Sequence, residues 1–499
     1  MTEIRPDSTS AGFEAYRSLR RELEEGVLRM ASSIDGRTFE LQASLHGLDL
    51  EVGGYVVVET GDGALLGQVL ELGMAERDGP EIDLPSDGGR TARAQVRIRA
   101  ATGNGVVLEG PRTPFHDGPL RRATPAEVAA WLERVAPDRA RLPIGELSLA
   151  PGVGFALDAG GFGRHTFMCG QSGSGKTYSL GVMLEQLLLE TELRIVVLDP
   201  NSDFVRLGEL RPGVAGDVAE RWRAAVAVHR GGAEGAERLR VRMGDLERAT
   251  QAAVLRLDPV EDREEHAVLD EILETEGPPS IDALVAAKGD DARRLGMRAR
   301  NLGVDRFGVW ARTDAGTTVD VAAGVEGRGV VVDLGSLATR AEQSLAATAV
   351  LDALWRRRER REPVLIVIDE AHNVCPAEPE DRLTALATEQ AVRIAAEGRK
   401  FGLYLLVSTQ RPQKVHPNIV TQCDNLVLMR LNSAADMAYA ETVFSAVPPG
   451  LLRRASAFGL GEALVAGKIA SHAALLRFGA RVAEEGGGDV PSTWARART

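Results

Sequence analysis

Cysteine is almost absent. Cys169, Cys375 and Cys423 are the only ones in 499 residues, and they lie too far apart for a metal-ligand run or a disulfide framework. A reducing cytoplasm is the expected setting. No apolar run approaches the ~18 residues that a membrane-spanning helix needs. Residues 1–12 are polar and lack the basic-then-apolar order of a secretion signal. No internal repeat of fixed period occurs. Positive charge is also short, the formal net charge being −13. A protein that coats nucleic acid with its whole surface is basic. The acidity therefore argues against broad nucleic-acid binding, while leaving room for a small basic patch that lines a pore.

What is present suffices for two or three domains, with the 44% hydrophobic and 26% charged residues of a soluble globular chain. Phe13, Tyr16, Leu19, Leu23 and Val27 recur at helical spacing, so residues 1–30 read as a tail followed by a helix. Over 31–115 the pattern turns to short alternating strands. Thr60-Gly61-Asp62-Gly63 marks a hairpin, and a small β-barrel is predicted. Thr124-Pro125-Ala126-Glu127 is a capping box that starts a helix reaching about Val135. Residues 116–160 are accordingly expected to form a helical connector. From 161 short aliphatic strands alternate with helices, which predicts an α/β fold with a largely parallel sheet over 161–209 and 328–482. Residues 210–327 are charged and read as a helical insertion. Residues 483–499 read as a tail, with Glu484–Gly488 flexible.

Gly170-Gln171-Ser172-Gly173-Ser174-Gly175-Lys176-Thr177 fills the phosphate-loop pattern G-x-x-x-x-G-K-[ST]. A strand precedes it, and a helix with Leu180, Met183, Leu184, Leu187 and Leu188 on one stripe follows. Glycines let backbone N–H groups close around phosphates at the positive end of that helix. Lys176 would neutralise the β- and γ-phosphates of ATP, and the Thr177 hydroxyl would ligate Mg²⁺.

Leu365–Ile368 is a buried strand that ends in Asp369 and Glu370. Beside a phosphate loop, this pair reads as the metal-holding Asp and the water-activating Glu. Asp199, before Pro200, either sits near the metal or merely opens a turn. Gln410 ends another buried strand, which places it to sense the γ-phosphate. Arg399 stands in Gly398-Arg399-Lys400-Phe401-Gly402 after a helix. It is a candidate arginine finger for a neighbouring subunit, or a basic residue answering its helix dipole. Arg164 is a second candidate, and His165 beside it fits an ordinary strand edge. The run 356–361, rich in arginine, reads as a solvated helix end more readily than as a DNA contact.

Together these residues resemble the HerA family of the HerA/FtsK ATPases. The resemblance rests on Arg164-His165 before the phosphate loop, Val197–Asn201, Val331–Leu334 and Ile368-Asp369-Glu370-Ala371-His372-Asn373. It continues through Glu397–Gly402, Ser408–Pro412 and Gly461–Leu464, spanning about 140–480. It implies a RecA/FtsK-like P-loop core, an N-terminal barrel and a homohexameric ring with ATP and Mg²⁺ between subunits. It also implies double-stranded DNA in the central channel, and a partner nuclease (NurA-like) or another effector. By position Lys176, Thr177, Asp369, Glu370 and Gln410 take the family's site roles, with Arg399 as the trans finger and Arg164 as a second arginine near the phosphates. The acidic pair is Asp-Glu where many relatives have Glu-Glu. No nuclease motif is recognisable in the chain, so cutting would fall to the partner. Two functions remain open: a DNA translocase serving repair, and a regulatory ATPase scaffold that assembles an effector enzyme in antiphage defence. A motor for protein or conjugative transfer fits less well, since no membrane segment is seen.

Overall fold

The computed structural model describes residues 8–86, 90–214, 216–222, 226–234, 237–275, 280–286, 289–311, 317–319 and 328–487. The chain divides into two compact units.

The first unit comprises Met1–Ala136, Glu146–Val153 and Ser445–Arg454. A helix, Ser8–Glu25, precedes six strands. These are β1 (Met30–Ser33), β2 (Thr38–Ala43), β3 (Tyr55–Thr60), β4 (Gly63–Ser86), β5 (Arg90–Glu109) and β6 (Phe115–Arg122). They close into a barrel in the order β1-β2-β5-β4-β3-β6. Alternation explains the closure: Phe39, Leu41 and Ala43 of β2 turn inward with Val56, Val58, Leu65 and Val69. The Phe39 ring fills the space above Gly67 and Gly105, where an added Cβ would lie 2.6 and 2.2 Å from ring carbons. The barrel runs to Arg122, past the expected limit at 115, because β6 must pair with both β1 and β3 to close it. The predicted capping box is formed, and the helix it caps is Pro125–Val135.

The second unit comprises Pro137–Gly145, Gly154–Phe444 and Ala455–Thr499. Its strands are β7 (Arg141–Leu147), β8 (Gly154–Asp158), β9 (His165–Cys169), β10 (Arg194–Asp199), β11 (Val226–Arg230) and β12 (Gly329–Asp333). They continue as β13 (Val364–Ile368), β14 (Leu403–Thr409), β15 (Cys423–Leu428), β16 (Glu462–Ala466) and β17 (Ala474–Phe478). All eleven form one sheet, β11-β12-β10-β13-β14-β9-β15-β16-β17-β7-β8. The run from β11 to β15 is parallel, and β16 and β17 are antiparallel, so the sheet is mixed. The central strands β10, β12 and β13 are aliphatic along most of their length and buried, as expected of parallel strands inside a sheet.

Three expectations need correction. Residues 116–160 are not simply a helical connector: all but the first residue of β6, and the whole of β7 and β8, fall in that span. The segment 210–327 carries helices, but also β11, whose Val226–Arg230 pairs along β12. Glu484–Gly487 is not loose. Glu484 N–H donates to the Glu209 carbonyl at 2.8 Å and Gly486 N–H to the Asp203 carbonyl at 3.1 Å. Gly486 permits this approach, since a Cβ there would meet the Ser202 carbonyl oxygen at 2.5 Å. Gly488 lies outside the described residues.

Candidate active site

β9 delivers the chain to Gly170, where a Cβ would lie 2.7 Å from that of Met429. Gly173 and Gly175 take left-handed φ values of 72° and 89°, which cost a side-chain-bearing residue strain. Gly175 begins the helix Lys176–Glu190 and offers no side-chain cap. The helix's first N–H groups are thus left for a ligand. Arg430 donates to the Gly173 carbonyl at 2.9 Å and Asn432 N–H to Gln171 Oε1 at 3.1 Å, which props the loop from β15. A cleft of about 930 Å³ opens here, lined by Gln171, Ser172, Gly173, Gly175, Lys176 and Thr177, with Asn201, Asp203 and Gln410 opposite.

Lys176 is 4% exposed. Its Nζ lies 2.8 Å from Asp369 Oδ1, 3.2 Å from Glu370 Oε1 and 2.9 Å from Ser408 Oγ. Burial opposes the ammonium charge, but the two carboxylates outweigh burial and raise its pKa. Asp369 follows the end of β13 and is fully buried. Glu370 has a left-handed φ of 40°. Its Oε1 accepts from Gln410 Nε2 at 2.7 Å, and its Oε2 lies 3.3 Å from His372 Nδ1. Burial pushes the Glu370 carboxyl upward; His372, the Lys176 charge and the Gln410 amide overcome it and hold the group down at about 2.

Asp199, at the end of β10, accepts backbone N–H bonds from Asn201, Asp203 and Phe204 at 3.3, 3.1 and 2.8 Å. It therefore does open a turn. Burial raises its carboxyl to about 7 despite those donors. Burial and the charge of Asp369 raise Asp203 to about 6. Oxygens of Asp199, Asp203 and Asp369 converge within 4.8 Å. Asp369 Oδ2 is buried and accepts no hydrogen bond. This donor set, with the Thr177 hydroxyl in the same cleft, fits a hard divalent cation.

The two arginines lie elsewhere. Arg399 Nη1 donates to Asp424 Oδ2 at 3.0 Å, and Arg164 Nη1 reaches the same oxygen at 3.5 Å. Asp424 opens β15, Arg164 precedes β9 and Arg399 precedes β14, so all three sit at the amino ends of strands whose carboxyl ends carry the phosphate loop. The length of β9 alone separates the two edges by about 13 Å. His165 opens β9 and is buried: its Nδ1 accepts from Leu405 N–H at 2.9 Å and its Nε2 faces the Ala395 carbonyl at 3.0 Å. Burial lowers its pKa to about 4, which keeps the ring neutral, and it ties the helix Arg382–Glu397 that leads to Arg399 onto the sheet. In the run 356–361, Arg358 stacks over Trp355 at 4.7 Å and Arg356 pairs with Glu247 at 3.7 Å, as befits the end of the helix Arg340–Arg356.

Sequence reasoning missed Asp203, Ser408 and Asp424. Asp203 carried a usable signal, an acid four residues beyond the strand-end Asp199. Ser408 and Asp424 are ordinary polar residues whose partners lie more than two hundred residues away in the chain for Lys176 and Arg164.

The profile described as "Helicase HerA, central domain" matches residues 142–280. The DNA double-strand break repair helicase HerA of Sulfurisphaera tokodaii is 29% identical over 182 residues, which is 35% of this chain and 36% of that protein. Its counterpart from Sulfolobus acidocaldarius is 28% identical over 178 residues, 34% of this chain and 35% of the relative. The match thus spans about a third of these curated relatives. Among solved structures, VirB4 of Thermoanaerobacter pseudethanolicus aligns over 69% of this chain and 97% of its own, with a TM-score of 0.46 and 16% identity. The bacterial conjugative coupling protein TrwB aligns over 73% and 93%, with a TM-score of 0.47 and 12% identity.

Proposed function

We propose, for a chain that belongs to the HerA family of P-loop ATPases through its central domain, that it couples ATP hydrolysis to the movement of duplex DNA through a homohexameric ring. The observation that carries this reading is the division of one sheet between two half-sites. Lys176, Asp369, Glu370 and Gln410 gather at the carboxyl edge, while Arg164 and Arg399 gather on Asp424 at the amino edge. An arginine that cannot reach its own phosphate loop acts on the loop of the next subunit, and a closed ring gives every loop such a partner.

In this reading the backbone of Gly170–Thr177 binds the phosphates, and Lys176 leaves Asp369 to take charge from the β- and γ-oxygens. Thr177 and Asp369 would hold Mg²⁺, which when bound would neutralise charge on the phosphates. Glu370, ionised and oriented by His372 and Gln410, accepts a proton from the attacking water. Gln410 follows the γ-phosphate and passes its position to Glu370 through their hydrogen bond. Arg399 from the neighbour stabilises the transition state, with Arg164 beside it. Arg411 and Lys414 are exposed at the same carboxyl edge as Gln410 and are the residues proposed to face DNA. The ring would feed DNA to, or control, a partner nuclease or other effector in the cytoplasm. No described helix is long and apolar enough to cross a membrane.

The experiment is ATP turnover with and without duplex DNA, on a sample whose mass is fixed by light scattering. Stimulation by duplex DNA in a six-subunit assembly is expected. A DNA-indifferent monomer with full turnover would overturn the ring-motor reading.

A further inference from the structure

Asp203 has no part in the scheme above, yet the fold goes to some length to place it. The buried Asp199 carboxylate collects three backbone N–H groups and winds residues 200–204 into a tight loop. That loop turns Asp203 back into the cleft that Lys176 and Thr177 line. There it meets Asp369, whose carboxylate is fully buried, with Oδ1 engaged by Lys176 and Oδ2 engaged by nothing. A buried carboxylate oxygen without a donor is costly, and three carboxylates within 4.8 Å multiply that cost. Lys176 is the counter-charge while it stays on Asp369. Once Lys176 turns to the phosphates, Asp369, Glu370 and Asp203 are left facing one another, and a dication restores the balance.

We propose that Asp203 is a direct ligand of the divalent cation, shared with Asp369, and that Asp199 positions it for that contact. The proposal rests on the ATP-site reading and enlarges its metal shell by one carboxylate from the β10 loop. It also links the metal to the C-terminal segment. The Asp203 carbonyl accepts from Gly486 N–H at 3.1 Å, so a cation held by Asp203 steadies the strap that runs along the cleft.

The test uses the full chain and Mn²⁺ as the probe, titrated by electron paramagnetic resonance with ATPγS present. Nucleotide affinity is measured separately in EDTA. Asp203→Asn should weaken Mn²⁺ binding by about tenfold or more, while the EDTA nucleotide affinity does not weaken, and Asp203→Glu should recover most of the loss. Hydrogen exchange at Gly486 should slow when Mn²⁺ is added to wild type and not when it is added to Asp203→Asn. A check that needs no variant replaces Mg²⁺ with Fe²⁺ in the wild-type protein and adds ascorbate and peroxide. Backbone scission is expected within 199–204 as well as beside Asp369. Unchanged Mn²⁺ affinity in Asp203→Asn, or scission beside Asp369 alone, overturns the proposal. A wild-type chain that binds no nucleotide in EDTA or in Mn²⁺ would instead sink the ATP-site reading beneath it.

Discussion

Gln410 donates its side-chain amide to the Glu370 carboxylate across 2.7 Å, while its own backbone N–H lies 3.3 Å from the other carboxylate oxygen. Glu370, proposed above to activate the attacking water, is therefore never oriented by its own backbone alone. The residue that follows β14 grips it from two sides, and any shift of that edge moves the carboxylate.

Glu370→Gln should bind ATP and hydrolyse it roughly 10²–10⁴-fold more slowly, because the amide cannot take a proton. The pH behaviour follows from the carboxyl being held at about 2, below its value in an unfolded chain. A depressed carboxyl adds stability that is complete above the unfolded value and fades as pH falls toward the folded one. Glu370 should thus stay ionised down to about pH 3. Gln410→Ala removes a donor and should move that titration upward. Infrared difference spectra against Glu370→Gln would follow it, and an unmoved titration in Gln410→Ala would count against the coupling.

Lys176→Ala should abolish hydrolysis and weaken nucleotide binding, since the loop loses its one full positive charge. It should also cost about 3–5 kcal/mol of stability without nucleotide, the usual scale for stripping a buried ion pair of one partner. Urea unfolding of the nucleotide-free protein measures this. Equal stability would mean that the ammonium does not rest on Asp369 between turnovers.

Arg399→Ala should keep ATP affinity near wild type and lose roughly 10³-fold in turnover. Mixed with Lys176→Ala, it should regain activity, because one subunit still offers a finger and the other a working loop. If the subunits demonstrably exchange and no activity returns, the trans assignment fails.

Gly181→Ala tests the buried Glu185–Arg481 pair. In an open helix this change gains about 1 kcal/mol. Here the new Cβ would lie 2.4 Å from Arg481 Cζ, whose side chain is fully buried and held by Glu185 at 2.7 Å. The melting temperature should fall. A rise would show that the Arg481 anchor yields easily.

Local constraint decides what could be read from the sequence. The phosphate loop was legible because backbone closure around a phosphate demands glycine at fixed spacing, and the strands β10, β12, β13 and β14 because a two-sided burial demands aliphatic runs. Asp369 and Glu370 were legible only beside that loop. Asp203 depends on how Asp199 spends its carboxylate, and Asp424 on two arginines that meet only when β9, β14 and β15 lie side by side. The strap at 483–487 looked loose because glycine and glutamate favour no packing of their own. Its order comes from carbonyls of residues 203 and 209.

β9 leads straight into the phosphate loop, yet its two neighbours in the sheet are β14 and β15. During synthesis the strand emerges early and waits for partners that begin at Leu403 and end at Leu428. At about 5–20 residues per second, that interval is on the order of ten seconds to a minute. Throughout it the loop has its sequence but no wall behind it, so a ribosome-bound fragment ending before Leu403 would not retain ATP. The chain becomes able to grip nucleotide only once the strand ending at Leu428 has been made.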